Sequence, residues 1–482
     1  MIRLKCVMSA LGTILLIVAA AMVIPLLWSI FHGDGQAMFF ILTMIMYAML
    51  GGLLVLSSKT KSAIRAKEGF LIVTLSWVVV SIIGSFPFYF SGIFPDFISC
   101  FFETMAGFTT TGGTALTDIE SVPDSLLVWR SMTQWLGGLG VVVLFVAILS
   151  QVDTGGLSML RAELSGPFNE KLSSKVQDSA MIMWMIYSVL TLILIVLLLV
   201  GGMNPTDAVC HAFSGISTGG FSSRNLSVAY FDSAYIEWVL TIFMFIGGIS
   251  FPLMYKVFTT KSLKTMFRNE EFRVYLGFTL VVMLIILIDL LRNYCDDFGL
   301  GIRLSAFQTV SQLTTCGFST CDTNVWPYTS FMIMVCLMMV GASYSSTSGS
   351  LKIGTYLLAY KSLKSQFFRM LHPRALTEIR INGKTVQDKT VMKILQLSSL
   401  FFVLAFFGAI LLSMTGLPFL ESLTGSMAAI SNNGVATGAL GPLGNYADVT
   451  AFGKLVLAAL MLLGRLEIYT VLIVFVPAFW RK

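Results

Sequence analysis

Long apolar runs alternate along this chain with short apolar segments that stop too early to cross a bilayer. The long runs cover 8–31, 37–57, 69–91, 127–149, 180–201, 235–257, 274–291, 327–360, 394–415 and 451–479. Each is long enough to span a membrane, which predicts ten crossings. The stretch FFETMAGFTTTGG at 101–113 is of the other kind. Its amphipathic helix ends at Phe108, about half the length a span requires. Thr109, Thr110 and Thr111 then run into Gly112 and Gly113, a combination favouring extended or left-handed backbone over helix. Non-helical backbone persists at membrane depth only where protein buries it or where it lines a watery path. The expected element is therefore a half-helix and a returning loop, with carbonyl and hydroxyl oxygens aimed at such a path.

The same pattern recurs three times, as AFSGISTGGF at 212–221, AFQTVSQLTTCGF at 306–318 and MAAISNNGVA at 427–436. The aligned glycines are Gly112, Gly220, Gly317 and Gly434, separated by 108, 97 and 117 residues. That period is too long for a solenoid unit. It suits two spans, a half-helix and their loops, so four units could close one pore within a single chain. The predicted fold is all-α and polytopic: four pseudo-repeats around one pore, preceded by a two-helix hairpin. Its boundaries are 1–66 for the hairpin, then 67–152, 153–260, 261–365 and 366–482 for the repeats.

Four neutral loops match the needs of an alkali cation, which is stripped of water by several carbonyl oxygens. Glycine lets the backbone present them, because a β-carbon would clash there. The predicted cation-binding residues are Thr110, Thr111, Gly112, Thr218, Gly219, Gly220, Thr315, Cys316, Gly317, Asn432, Asn433 and Gly434. No loop carries a carboxylate at this position, as a divalent-ion site would.

With these motifs in view, the chain resembles the Trk/Ktr/HKT superfamily of potassium transporters, most closely the bacterial TrkH/TrkG-type membrane subunit. The four loop motifs carry the resemblance, together with EGFLIV at 68–73, WLGGLGVVVL at 135–144, RAELSGP at 161–167 and LLGRLEIYT…FW at 462–480. It covers essentially the whole chain. It implies potassium uptake through a gated pore, a homodimer in the bacterial inner membrane, and a cytoplasmic NAD- or ATP-binding regulatory ring of the TrkA type. This chain has no Walker or Rossmann signature, so the nucleotide would sit on the partner.

Composition agrees with a membrane protein: 56% of residues are hydrophobic and 12% charged, which excludes a soluble globule. The first apolar run outlasts a signal-peptide core and is expected to remain as a span. Basic residues concentrate in 58–68, 256–273 and 352–393, whereas Asp34, Asp96, Asp118, Glu120, Asp124 and Asp232 lie on the opposite side. The positive-inside rule puts both termini and the basic segments in the cytoplasm. Those segments account for the net charge of +6 and offer contacts to anionic lipids or a cytoplasmic partner. The seven cysteines include no CxxC, and Cys316 and Cys321 flank one loop closely enough to consider pairing. The three histidines are scattered, without a metal-ligand cluster.

Arg465 lies mid-span, where an unpaired charge is costly. Two readings follow, a scaffold ion pair or a pore-facing positive barrier to cations, and the resemblance favours the second. GASYSSTSGSLK at 341–352 interrupts the second span of repeat three. It reads as a polar kink or as an intramembrane gate using Gly341, Ser346, Thr347, Gly349 and Lys352. Relatives are richer in glycine there, so Ser345, Ser348 and Ser350 should stiffen it. In repeat four, NNGVATG leaves open whether Gly434 or Val435 takes the glycine place. Glu103 is expected either to brace its loop or to attract cations at the mouth, and Asp207 to cap the second half-helix. The alternatives to a uniport pore are a sodium- or proton-coupled symporter and, from another class, a membrane enzyme. The latter lacks any clustered histidines or paired intramembrane carboxylates, so the chain is not expected to be an enzyme.

Overall fold

In the computed structural model, residues 2–58, 65–151, 176–375 and 377–481 are described; the RAELSGP motif lies outside them. The chain is predominantly helical. An N-terminal pair, Leu4–Ala21 continuing into Val23–His32 and Ala37–Ser57, packs as an antiparallel hairpin. Small residues let the two helices meet: a β-carbon on Gly12 would lie 2.6 Å from the Gly51 carbonyl oxygen.

Four short helices follow at the repeat spacing: Phe97–Phe108, Pro205–Ile216, Phe298–Leu313 and Phe419–Ser431. The first two end at the residues where sequence places the helix stop. Asp96, Asn204 and Asp297 cap the first three by accepting backbone N–H bonds from Ser99, Asp207 and Gly299. Asp207 is therefore not the cap expected of it; Asn204 holds that place. The Asp207 carboxylate instead pairs with Arg224 at 2.7 Å.

Among the described residues, six helices are long and apolar enough to cross a membrane, or eight if each of two bent pairs counts as one span. Two of the predicted crossings, 235–257 and 451–479, are thus sharply bent rather than straight, while the 127–149 run lies within one helix, Asp124–Gln151. Ala234–Gly247 and Phe251–Thr260 meet at 96°, and Ala451–Arg465 and Tyr469–Phe475 meet at 113°. In the second bend Glu467 and Ile468 both take positive φ, 53° and 54°. In repeat three, Tyr328–Leu337 and Ile353–Leu371 are separated by the 341–352 segment. A two-residue parallel pairing of Val340–Gly341 with Leu351–Lys352 zips the neck of that segment shut.

Two of these interruptions meet backbone to backbone, and the third reaches them through Arg465, which donates to Thr347 O. The Phe251 N–H donates to Ser345 O, the Ser343 N–H to Gly248 O, and the Thr347 N–H to Gly247 O. The broken backbones of repeats two and three thus satisfy one another inside the protein, as irregular backbone at membrane depth must. A short hairpin, Ile379–Ile381 with Lys384–Val386, packs against Leu358 and Val391. Its tip residue Asn382 exchanges hydrogen bonds with Glu270, to which Lys361 also donates.

Candidate ion pathway

Each of the four half-helices ends in the same Schellman turn. The N–H groups of Thr110, Thr218, Thr315 and Asn432 bond back three residues. Those of Thr111, Gly219, Cys316 and Asn433 bond back five, to Ala106, Ser214, Ser311 and Ala428 at 2.8–2.9 Å. Each turn needs one left-handed residue, and it falls on Thr110, Thr218, Thr315 and Asn432, with φ 53°, 53°, 57° and 53°. Asparagine tolerates that conformation, but a β-branched threonine is a true outlier. Three such threonines amount to backbone strain of order 1–3 kcal/mol apiece. Thr218 and Thr315 hold their hydroxyls on the preceding carbonyl at 2.7 Å.

Two residues on, Gly112, Gly220 and Gly317 are also left-handed, at φ 82°, 79° and 84°. Gly434 is not, and it is buried where the other three are partly open; Val435 is the half-buried residue there. The equal spacing aligns Gly434 with the others, but its reason for being glycine is different. A β-carbon on it would lie 2.3 Å from the Gly112 carbonyl carbon. It is needed for close approach, not for a left-handed turn.

Those approaches run in cyclic order. A β-carbon on Gly112 would lie 2.1 Å from Gly219 O, one on Gly220 1.8 Å from Cys316 O, and one on Gly317 3.3 Å from the Asn433 side chain. Gly434 closes the circuit back onto Gly112. All twelve residues singled out by the sequence therefore lie in four loops that touch as a ring. Cys316 and Cys321 are both free thiols.

Directly against the ring sits the 341–352 segment. The Gly349 N–H donates to Thr315 Oγ1 at 2.7 Å, and Thr347 Oγ1 lies 3.2 Å from Thr218 Oγ1. A β-carbon on Gly349 would meet Ser431 O at 2.2 Å. Loops two, three and four are thus all contacted at or beside their left-handed residue. Lys352 folds back to donate to Ser348 O and to Gly349 O. Ser345 and Ser350 stand at φ 58° and 57°, a region that favours glycine. Arg465 is buried, and its guanidinium donates to Thr347 O at 2.9 Å and Gly137 O at 3.3 Å. Among the described residues it makes no ion pair; its neighbour Glu467, two positions on, is not its partner. On the basal side, Glu271 accepts the Tyr344 N–H at 2.7 Å.

Behind the ring lie Glu103, expected to brace its loop or to attract cations, and two residues not expected there, Arg130 and Gln134. Glu103 does not face the mouth: it is fully buried and accepts from Arg130 Nε at 2.6 Å, Thr114 Oγ1 at 2.9 Å and the Ala115 N–H at 2.8 Å. The Arg130 guanidinium stacks 3.6 Å over Phe221 and donates to Ser222 O. Four residues further along the same helix, Gln134 reaches Gly219 and Phe221. Arg130 and Gln134, one turn apart as the two longest polar side chains in the mainly apolar run 127–149, were the available signal. In the loop after the first half-helix, the Asn225 amide donates to Asp118 and holds its carboxyl below the usual carboxylate range.

The Arg130–Glu103 pair makes a direct test of this backing. Arg130→Met should destabilise the fold by about 3–5 kcal/mol, because it strands a buried carboxylate. The double change Arg130→Met with Glu103→Gln should recover much of that loss. Thermal unfolding in detergent reads both; equal losses in the single and double variants would mean the pair is not coupled.

The family model described as TrkH, cation transport protein, matches residues 35–482. The chain belongs to the TrkH family. TrkH-family relatives include the Trk system potassium uptake protein TrkH of Escherichia coli K12, 33% identical over 98% of both chains. The Trk system potassium uptake protein TrkH of Halomonas elongata is also 33% identical, over 99% of this chain and 100% of its own. The crystal structure of the potassium transporter TrkH from Vibrio parahaemolyticus superposes with a TM-score of 0.90 at 29% identity, covering 100% of each chain. This TrkH-family chain is accordingly a multi-pass membrane protein, and its named relatives are transporters.

Proposed function

We infer that this protein takes up potassium through a selective pore framed by the four loops, and that the 341–352 segment with Arg465 gates it. The observation that carries the reading is the cyclic contact of four loops that leave four half-helices through one turn type. The half-helix C-termini meet at that ring, so the negative ends of four macrodipoles converge where a cation would pass. Neutral backbone oxygens there can replace the ion's water. The names of the relatives supply the ion. Glu271 lies beside the gate segment and Lys352 within it, but the loops themselves carry no carboxylate for a coupling ion, so a uniport pore is preferred to a sodium- or proton-coupled symporter.

The same reading places the chain in the bacterial inner membrane with both termini and the basic segments 256–273 and 352–393 in the cytoplasm. There those segments would meet anionic lipids and a nucleotide-binding ring, which would carry the NAD or ATP; two copies of the chain would share one ring. Tracer uptake in a strain without other potassium uptake tests it. Influx should follow the membrane potential and persist when sodium and proton gradients are collapsed separately. Influx that stops with either gradient would replace the pore by a coupled carrier.

A further inference from the structure

We propose that Gln134 is a positioning residue that sets the carbonyl direction, and hence the ion selectivity, of the second loop. The proposal rests on the reading of the four loops as the selectivity filter. Gln134 is fully buried on the helix Asp124–Gln151, which belongs to repeat one, yet both ends of its amide engage repeat two. Its Nε2 donates to Gly219 O at 2.6 Å, and its Oε1 accepts the Phe221 N–H at 3.0 Å. These two bonds flank Gly220, one on each adjoining peptide plane.

Peptide planarity turns this contact into a constraint. In a trans peptide the N–H and C=O point in opposite directions. With the Phe221 N–H directed at Gln134, the Gly220 carbonyl must point away from that helix. The neighbouring loop is close at hand: a β-carbon on Gly220 would fall 1.8 Å from Cys316 O. Gly220 has left-handed backbone at φ 79°, where glycine alone gives no intrinsic preference against a peptide flip. Without the amide, the 220–221 peptide is free to turn, replacing an oxygen by an N–H that repels a cation.

The surroundings fit an amide and little else. A β-carbon on Gly219 would meet Gln134 Cδ at 2.4 Å, so the first glycine of the Gly219–Gly220 pair makes room for the side chain. One helical turn away, Arg130 secures the next carbonyl, that of Ser222, at 2.7 Å. The other loops are held differently. Ser311 donates to Phe318 O from its own half-helix, and the Tyr446 hydroxyl reaches Gly434 O at 3.2 Å. Among the described residues, no side-chain amide brackets the corresponding glycine in loops one or three.

The test is tracer permeation of rubidium and sodium in vesicles reconstituted with the full-length protein, with folded yield and thermal unfolding measured on the same preparation. Gln134→Leu removes both bonds. Gln134→Glu keeps the size and the acceptor but sets a carboxylate oxygen against Gly219 O. In each folded variant the preference for rubidium over sodium should fall by roughly tenfold, the equivalent of one buried hydrogen bond. A residue that merely supports the fold would lower yield and unfolding temperature while leaving the ratio unchanged. If Gln134→Leu does not fold, Gln134→Glu decides. An unchanged ratio in the folded variants overturns the proposal. Gly220→Ala, run alongside, separates the two levels: if it alone lowers the ratio, the filter reading stands without Gln134. If it too leaves the ratio intact, the filter reading falls as well.

Discussion

Gly220→Ala should abolish selective potassium uptake, and Gly317→Ala should only blunt it. Both residues have left-handed backbone, φ 79° and 84°, where alanine costs on the order of 1 kcal/mol. What lies beside them differs. The new β-carbon at 220 would fall 1.8 Å from the Cys316 carbonyl oxygen, which is backbone and part of the neighbouring loop. It cannot be accommodated unless two quarters of the ring separate. At 317 the nearest atoms are the Asn433 and Val435 side chains, both at 3.3 Å, and these can rotate by a few tenths of an ångström. Rubidium-to-sodium permeation, measured with thermal stability on the same preparations, should therefore collapse for the first and drop partially for the second. Equal effects would mean that the contact order around the ring is wrong.

Arg465→Gln should raise potassium flux severalfold with little change in stability. A fixed charge in a narrow, poorly solvated passage repels cations by about 1–3 kcal/mol at an effective dielectric near 20. Arg465 has carbonyl partners rather than a carboxylate, so its removal strands no buried anion. Glutamine retains one hydrogen bond's worth of reach. Arg465 also ties the gate segment through Thr347 O, and Arg465→Lys separates the two contributions. Lysine keeps the charge but not the double-donor fork. Low flux in Arg465→Lys assigns the effect to charge, whereas high flux assigns it to the tie. A stable Arg465→Gln protein with wild-type flux would remove the residue from the gate altogether.

The parts of this fold that sequence made legible are those set by local chemistry. Phe108 and Ile216 end their half-helices because hydroxyl residues and glycine follow, and the turn needs only a handful of neighbouring residues. The N-terminal hairpin is equally local, a pair of apolar runs joined by Gly33–Gly35. What stayed hidden depends on residues far apart in the chain. The bend after Gly247 looks like an uninterrupted span until the 341–352 segment is seen to supply its missing hydrogen bonds. Arg465 likewise reads as a residue within one long span, but it is the last residue of a helix that turns sharply. Asp207 was mistaken for a cap because a carboxylate in the first turn suits either role; only Arg224, folded back over it, decides. Gly434 aligned by counting, yet its backbone departs from the other three because Gly112 crowds it.

That unlike fourth quarter changes how such a pore can vary. In an assembly of four identical subunits, one altered codon rewrites every face of the ring together, and most such changes are ruinous. Here the faces are encoded separately, and three of them have unlike backing: Gln134 for one, Tyr446 for another, the half-helix hydroxyl of Ser311 for a third. A substitution in one of these backing residues, away from the glycines where the loops touch, perturbs one side of the coordination shell and leaves three in place. Ion preference can then drift by small steps, each tolerable on its own, toward a shell that no symmetric ring could reach.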